Sequence, residues 1–294
     1  MIIARKEPIL KTYIDLHIHS TASDGTYSPT ELVNEALKLA GKENPVVIAL
    51  TDHDTVAGIK EFQKSASKYK ERLTAISGIE ISTDYHGVEI HILGYNIDPK
   101  NKALLDKLAI CRESRDGRNE KIIKKLQEQG LEVSMEELIP DKAGETIGRP
   151  HIARLLMKKK YVSSVQEAFD KYLAEGRCCY VERIMPTPQE AIELIKNSGG
   201  IPVLAHIMLY KKLTAAQKEA LVRELKEAGL IGIETYYNTY TDVEQAYVEG
   251  LAKQWGLIET GGTDFHGQNK PHISLFKGQG EMNIPEGVIC YLIH

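Results

Sequence analysis

Two histidines, His17 and His19, stand at the end of an apolar run over 12–18. Along a strand, side chains alternate faces, so positions i and i+2 point the same way. Two imidazoles on one face make a ready metal chelate. Asp264 and His266 repeat this spacing with a carboxylate and an imidazole after the run 257–261. Thr51-Asp52-His53-Asp54 follows 46–50, and His206 follows 201–205. In α/β folds, sites are built at the carboxyl ends of parallel strands, so these four clusters are expected to converge on one rim. Imidazole mixed with carboxylate suits Zn, Mn or Fe and leaves positions open for water or substrate. The absence of Cys argues against a closed structural zinc site.

The elements that must position these groups are legible as β/α units. The four runs above are short, rich in Val and Ile, and bounded by turn residues, as buried parallel strands are. Weaker strands are expected over 73–79 and 88–95. Ser28-Pro29-Thr30-Glu31 reads as an N-cap, a proline at the first helical position and a capping-box glutamate. Thr187-Pro188-Gln189-Glu190 repeats that start, and each helix leads into an apolar strand ending in the chelating clusters. Two further helices are expected over 214–229 and 241–256. The stretch from about 101 to 180 is dense in charged helix formers. It is read as an all-helical insertion (cap) of 101–180 between barrel segments 1–100 and 181–294.

Composition narrows the function classes. The chain has 294 residues, 42% hydrophobic and 27% charged, as expected of a folded globular protein. Its net charge is −4, so no global basic field recruits nucleic acid, and no stable nucleic-acid complex is expected. The longest stretch free of Asp, Glu, Lys and Arg, 197–210, is too short and too interrupted to span a membrane. The N-terminus has no apolar signal core. Four cysteines at 111, 178, 179 and 290 form no framework spacing, and a reducing cytoplasm is the simplest location.

Several motifs in order resemble the PHP (polymerase and histidinol phosphatase) phosphoesterase family: HIHSTASDG at 17–25, TDHD at 51–54, GIE at 78–80, EIHILGY at 89–95, LAH at 204–206 and GTDFHG at 262–267. The resemblance implies a distorted seven-stranded β/α barrel holding two to three divalent metals, Mn, Zn or Fe. It implies that His17, His19, Glu80 and Asp264 hold one metal. Glu80 would bridge to a second, completed by His91 and by His206 or His151. Asp24, His53 and His266 would hold the third. Three divalent ions against three carboxylates leave a positive surplus suited to a phosphate dianion. GRPHIA at 148–153 resembles the nucleotide-acting branch, in which Arg149 and His151 would reach the substrate phosphate from the helical insertion. The family often has proline where this chain has Ile207.

The implied function is metal-dependent hydrolysis of a phosphate ester, with a nucleoside 3′,5′-bisphosphate or a short 5′-phosphorylated RNA as substrate. Arg149 would neutralise phosphoryl charge, and His151 or His206 would protonate the leaving oxygen. Histidinol phosphate is the alternative within the same chemistry, although it needs no GRPH-type insertion. From other classes come a non-catalytic, metal-stabilised accessory module, which predicts lost ligands, and an amide hydrolase bridged by a carbamylated lysine. No lysine sits at an expected strand end. His86, His272 and His294 read as surface or packed residues, Cys178-Cys179 as packing, and Lys158-Lys159-Lys160 as an exposed helix end. Arg112, Arg115 and Arg118, spaced by three, read as a solvated helix face. Asp52 and Asp54 read as helix caps or as partners orienting an imidazole. The oligomeric state is left open.

Overall fold

A computed structural model describes residues 10–138 and 147–293. Seven strands form one sheet in chain order: β1 (Tyr13–Ile18), β2 (Val46–Leu50), β3 (Leu73–Tyr85), β4 (Val88–Tyr95), β5 (Ile201–Leu204), β6 (Gly232–Tyr237) and β7 (Ile258–Gly262). Neighbours are parallel except at β4, which runs antiparallel to both β3 and β5. The outer strands meet: Ile18 bridges Phe265 in parallel, and His19 N–H donates to the Phe265 carbonyl at 2.9 Å. The sheet therefore curls into a nearly closed barrel. Gly262 lets the seam close, because a Cβ there would lie 2.4 Å from the His17 backbone nitrogen.

The helices are α1 (Pro29–Ala40), α2 (Ile59–Ala66), α3 (Lys102–Glu128), α4 (Arg149–Lys158), α5 (Val165–Ala168), α6 (Pro188–Asn197), α7 (Ala215–Glu227) and α8 (Asp242–Trp255). Both expected capping boxes form: Ser28 with Glu31, and Thr187 with Glu190. The barrel interior is filled by residues such as Leu16, Val47, Leu93, Tyr95 and Val203. Two further apolar clusters pack the outer helices against the sheet. None of the described helices is long and apolar enough to cross a membrane.

Three features differ from the sequence expectation. β3 extends to Tyr85 rather than stopping near Ile79, because Gly78–Tyr85 pairs with Val88–Tyr95 as an antiparallel hairpin. β6 is a strand that the sequence reading does not anticipate. Its run, Gly-Ile-Glu-Thr-Tyr-Tyr, carries a glutamate in its middle and no long apolar stretch. The third is α3. No strand occurs among the described residues of 101–187, and their helices share a hydrophobic cluster of their own, with Ile122, Leu126, Ile152, Leu156 and Leu173. The buried stripe of α3 runs Leu104, Leu108, Cys111, Arg115, Arg118, Ile122, Leu126. Arg115 and Arg118 continue the apolar stripe instead of facing solvent, with exposures of only 7% and 4%. The solvated-face reading is thus wrong for these two. Leu104 and Leu108 pack on the barrel and Ile122 and Leu126 on the insertion cluster, so the arginines between them sit over the barrel mouth.

Candidate metal centre and active site

Glu80 is the hub of the rim. It is fully buried on β3, beside the isolated bridge that joins it to His53. His17 and His19 each place Nε2 3.3 Å from its Oε2, and His53 Nδ1 lies 3.0 Å from the same oxygen. On Oε1 it meets His91 Nδ1 at 2.8 Å and His206 Nε2 at 2.9 Å. Asp264 Oδ1 lies 3.3 Å from His19 Nε2 and 3.2 Å from His266 Nδ1, and Asp24 Oδ1 lies 3.2 Å from His266 Nε2. All nine ligand-type residues named from the sequence therefore sit in one cluster. His91 arrives from the antiparallel strand, near its start, and so reaches the same rim as the ends of the parallel strands.

Strand alternation explains only part of this convergence. His17 lies in β1 and His19 one residue beyond it. β7, however, ends at Gly262, and Asp264 takes a left-handed φ of +53°. A turn, not a strand, aims Asp264 and His266. Asp54 (φ +53°) and His206 (φ +23°) share this uncommon conformation. Non-glycine residues held there are strained and cluster at functional sites.

Burial works against charge on every one of these carboxylates, yet the neighbouring imidazoles, and for Asp264 first Lys270, overcome it. Glu80, surrounded by His53, His17 and His91, is held well below the usual carboxylate range. Asp24 and Asp264 are lowered likewise, Asp24 by His266 and His53, Asp264 by Lys270 and His266. Conversely His19 rises to about 9 despite burial, through Asp264 and Glu80. His53 goes the other way, to about 3, because burial dominates. The donor set fits divalent cations on geometry as well. His19, Asp24, His53 and His266 bring ligand atoms within 4.8 Å of one another, as do His17, His19 and Glu80, and His53, Glu80 and His91. Several of those atoms are buried without a hydrogen-bond partner: His17 Nε2, both ring nitrogens of His19, Asp24 Oδ1, His53 Nδ1 and Glu80 Oε2. Such atoms are costly unless something satisfies them.

A second layer holds the donors. Glu234 Oε1 accepts from His17 Nδ1 at 2.9 Å, and its Oε2 accepts from His206 N–H at 2.9 Å. Asp264 Oδ2 accepts from Tyr237 at 2.7 Å and Lys270 at 2.6 Å. Asp52 organises the turn that carries Asp24, accepting from Ser20 N–H, Ser20 Oγ and Ser23 Oγ. Asp54 accepts from Ser82 N–H, Arg115 and Arg183. Neither aspartate caps a following helix: α2 starts at Ile59 without a side-chain cap.

Above the cluster lies a cavity of about 140 Å³, lined by Asp24, His53, His91, Glu89 and four arginines, Arg115, Arg118, Arg149 and Arg183. Glu89 receives Arg149 at 3.1 Å and Arg183 at 3.3 Å. The Arg149 guanidinium also stacks near Phe169 and Tyr180. His151 makes no ion pair among the described residues, although Asp24 lies near enough to act on its charge. Its Nδ1 accepts from Gly148 N–H at 3.1 Å, and burial with Arg154 nearby lowers its pKa to about 4. His206 is buried beneath Glu80. His86 and His272 are exposed, and His294 lies outside the described residues.

Sequence reasoning missed Glu234, Glu89 and Arg183. Glu89 alone had a signal, since it precedes His91 by two on the same strand face. Glu234 was hidden with β6, and Arg183 follows Glu182 in an irregular segment without periodicity.

Residues 15–182 match the family model described as PHP domain. Among curated relatives, the 5′-3′ exoribonuclease Rnm of Escherichia coli is 35% identical over 274 residues, 93% of this chain and 90% of the relative. The 3′,5′-nucleoside bisphosphate phosphatase of Chromobacterium violaceum is 31% identical, covering 86% of this chain and 87% of its own. Among solved structures, a candidate metal-dependent phosphoesterase from Bifidobacterium adolescentis superposes with a TM-score of 0.82 at 28% identity, covering 98% of this chain and 97% of that one. With the barrel and its histidine–carboxylate rim already in place, these matches make the chain a member of the PHP domain family, a metal-dependent phosphoesterase.

Proposed function

We propose that this chain hydrolyses a phosphate ester of a nucleotide, either a nucleoside 3′,5′-bisphosphate or the terminal linkage of a short 5′-phosphorylated oligonucleotide. The observation that carries the reading is the cavity itself. Metal-donor residues Asp24, His53 and His91 form one side, and four arginines form the other. The names of the relatives, one acting on RNA and one on a bisphosphate, support the same class.

In this reading His17, His19, Glu80 and Asp264 hold one ion. Glu80 with His91 and His206 holds a second, and Asp24, His53 and His266 a third. Bound there, Mn, Zn or Fe supplies Lewis-acid stabilisation of phosphoryl charge and a nucleophile at neutral pH. The protein's own groups do the rest. Arg149, pinned by Glu89 and by two aromatic rings, offers a rigid fork to equatorial phosphoryl oxygens. Because His151 Nδ1 accepts from Gly148, the neutral ring carries its proton on Nε2 and donates from there to a substrate oxygen. His206, fixed by Glu80 and by Glu234, serves as a donor to the second ion and not as the proton source.

The test is Asp264→Asn and His17→Ala, with metal content measured by plasma spectroscopy and turnover of adenosine 3′,5′-bisphosphate, short 5′-phosphorylated RNA and histidinol phosphate under Mn²⁺, Zn²⁺ or Fe²⁺. Both variants are expected to lose bound metal and most turnover, with the nucleotides preferred. Full metal loading and full turnover in both variants would sink the metal assignment. Turnover of histidinol phosphate alone would sink the nucleotide assignment.

A further inference from the structure

Arg118 is a buried cation without an ion-pair partner among the described residues, and Glu89 offsets its charge only in part. It is 4% exposed, its Nε lacks a hydrogen-bond partner, and among the described residues no carboxylate pairs with it. Its neighbours differ. Arg115 and Arg183 share Asp54, while Arg183 and Arg149 share Glu89. Two carboxylates thus serve three arginines, and Arg118 is a fourth cation on the wall of the same cavity. Burial, and then the guanidiniums of Arg115, Arg149 and Arg183, push its pKa down to about 8. A charge so placed is costly unless a partner arrives, and proteins keep few such groups without a functional reason. Packing does not require it either. On the α3 stripe it lies between Arg115 and Ile122, and an apolar side chain there would extend the apolar run of Ile122 and Leu126.

We infer that Arg118 receives a second, non-scissile phosphate of the substrate, and so selects nucleotides bearing two phosphates over simple monoesters. This rests on the nucleotide reading above. Asp24, His53 and His91 mark where the reacting phosphoryl group sits, and Arg118 lines the arginine wall of the same cavity. Arg149 and Arg183 are tied down by carboxylates, whereas Arg118 keeps its planar fork free for phosphate oxygens.

The experiment uses Arg118→Met and Arg118→Lys in the full-length, metal-loaded protein, with adenosine 3′,5′-bisphosphate and p-nitrophenyl phosphate as substrates. Arg118→Met is expected to raise KM for the bisphosphate by about tenfold or more with little change in kcat, the signature of lost binding. On p-nitrophenyl phosphate the loss in kcat/KM is expected to be severalfold smaller, because that ester has no second phosphate. Arg118→Lys recovers part of the loss. In phosphate-free buffer Arg118→Met melts no lower than wild type, since it removes an unpaired buried charge. Equal losses on both substrates, no loss on either, or a clearly lower melting temperature would overturn the role of Arg118. Wild-type turnover of p-nitrophenyl phosphate without the bisphosphate would instead sink the nucleotide reading.

Discussion

Glu234 holds the site at the scale of single atoms. One carboxylate accepts from the His17 ring and from the His206 backbone, and so fixes two donors that lie far apart in the chain. Taking His17 Nδ1–H as donor turns Nε2 toward Glu80 and Asp264, at 3.3 and 3.7 Å. In Glu234→Gln the amide keeps one acceptor and replaces the other with an N–H, so one of the two donors loses its partner. Removing such a partner of a ligating histidine typically weakens metal binding by about 10–100-fold. Chelator competition on Glu234→Gln is expected to show a loss of that size, with circular dichroism unchanged. Wild-type metal affinity in that variant would reduce Glu234 to a packing residue. The contrast with Asp264 is instructive, since its Oδ2 is shared by Tyr237 and Lys270 while its Oδ1 faces the histidines.

Between elements, Asp54 is the tie. Its carboxylate on the loop after β2 receives Arg115 from α3 and Arg183 from the segment before α6, and so fastens the helical region over the barrel mouth. Burial opposes its charge, but the two guanidiniums hold its pKa at about 2, against an ordinary 3.8. A depressed carboxyl stabilises the fold at pH values above 3.8, and that contribution is lost as pH falls through about 2. Asp54→Asn tolerates the left-handed backbone there, so its effect isolates the charge. It is expected to cost about 3–5 kcal/mol in denaturant titration at pH 7, as breaking a buried pair does. The difference from wild type shrinks as pH approaches 2. A pH-independent difference would mean that the charge is not the cause. The same tie marks the limit of what the sequence reveals. β1, β2, β5 and β7 are legible because apolar runs end in chelating residues, and the helix starts because proline and capping-box residues announce them. In the arginine wall Arg149 is legible from its motif, but Arg115 and Arg118 are not, because charge at three-residue spacing looks like a wet surface. Only the apolar residues at 104, 108, 122 and 126, on the same stripe, reveal that Arg115 and Arg118 face inward. β6 escapes for a related reason, since its buried glutamate breaks the apolar run while supporting the site.

For the whole molecule, the rim sets a balance between folding and metal binding. Three buried carboxylates would be prohibitive alone, and His17, His19 and His91 compensate by holding their protons above the usual imidazole range, each through Glu80 and a neighbouring carboxylate despite burial. On that basis the barrel is expected to close without ions, and the ions to bind a site that already exists. Binding that favours the folded chain adds stability by mass action, about 2.7 kcal/mol for each ion at a hundredfold excess over Kd. For a chain of this size, about 1 kcal/mol corresponds to roughly 2–4 °C in melting temperature. Dialysis against a chelator is expected to lower the melting temperature by about 5–10 °C per ion lost, while the far-ultraviolet circular dichroism of the folded state stays unchanged. Readdition of Mn²⁺ or Zn²⁺ restores the higher melting temperature. In His17→Ala the chelator-sensitive shift shrinks, because one donor group is broken while the arginine tie at Asp54 remains. A melting temperature indifferent to chelation in the wild type would show that these nine donors hold no ion in the native protein, and a chain unfolded by chelation would show that the imidazole protons do not compensate the carboxylates.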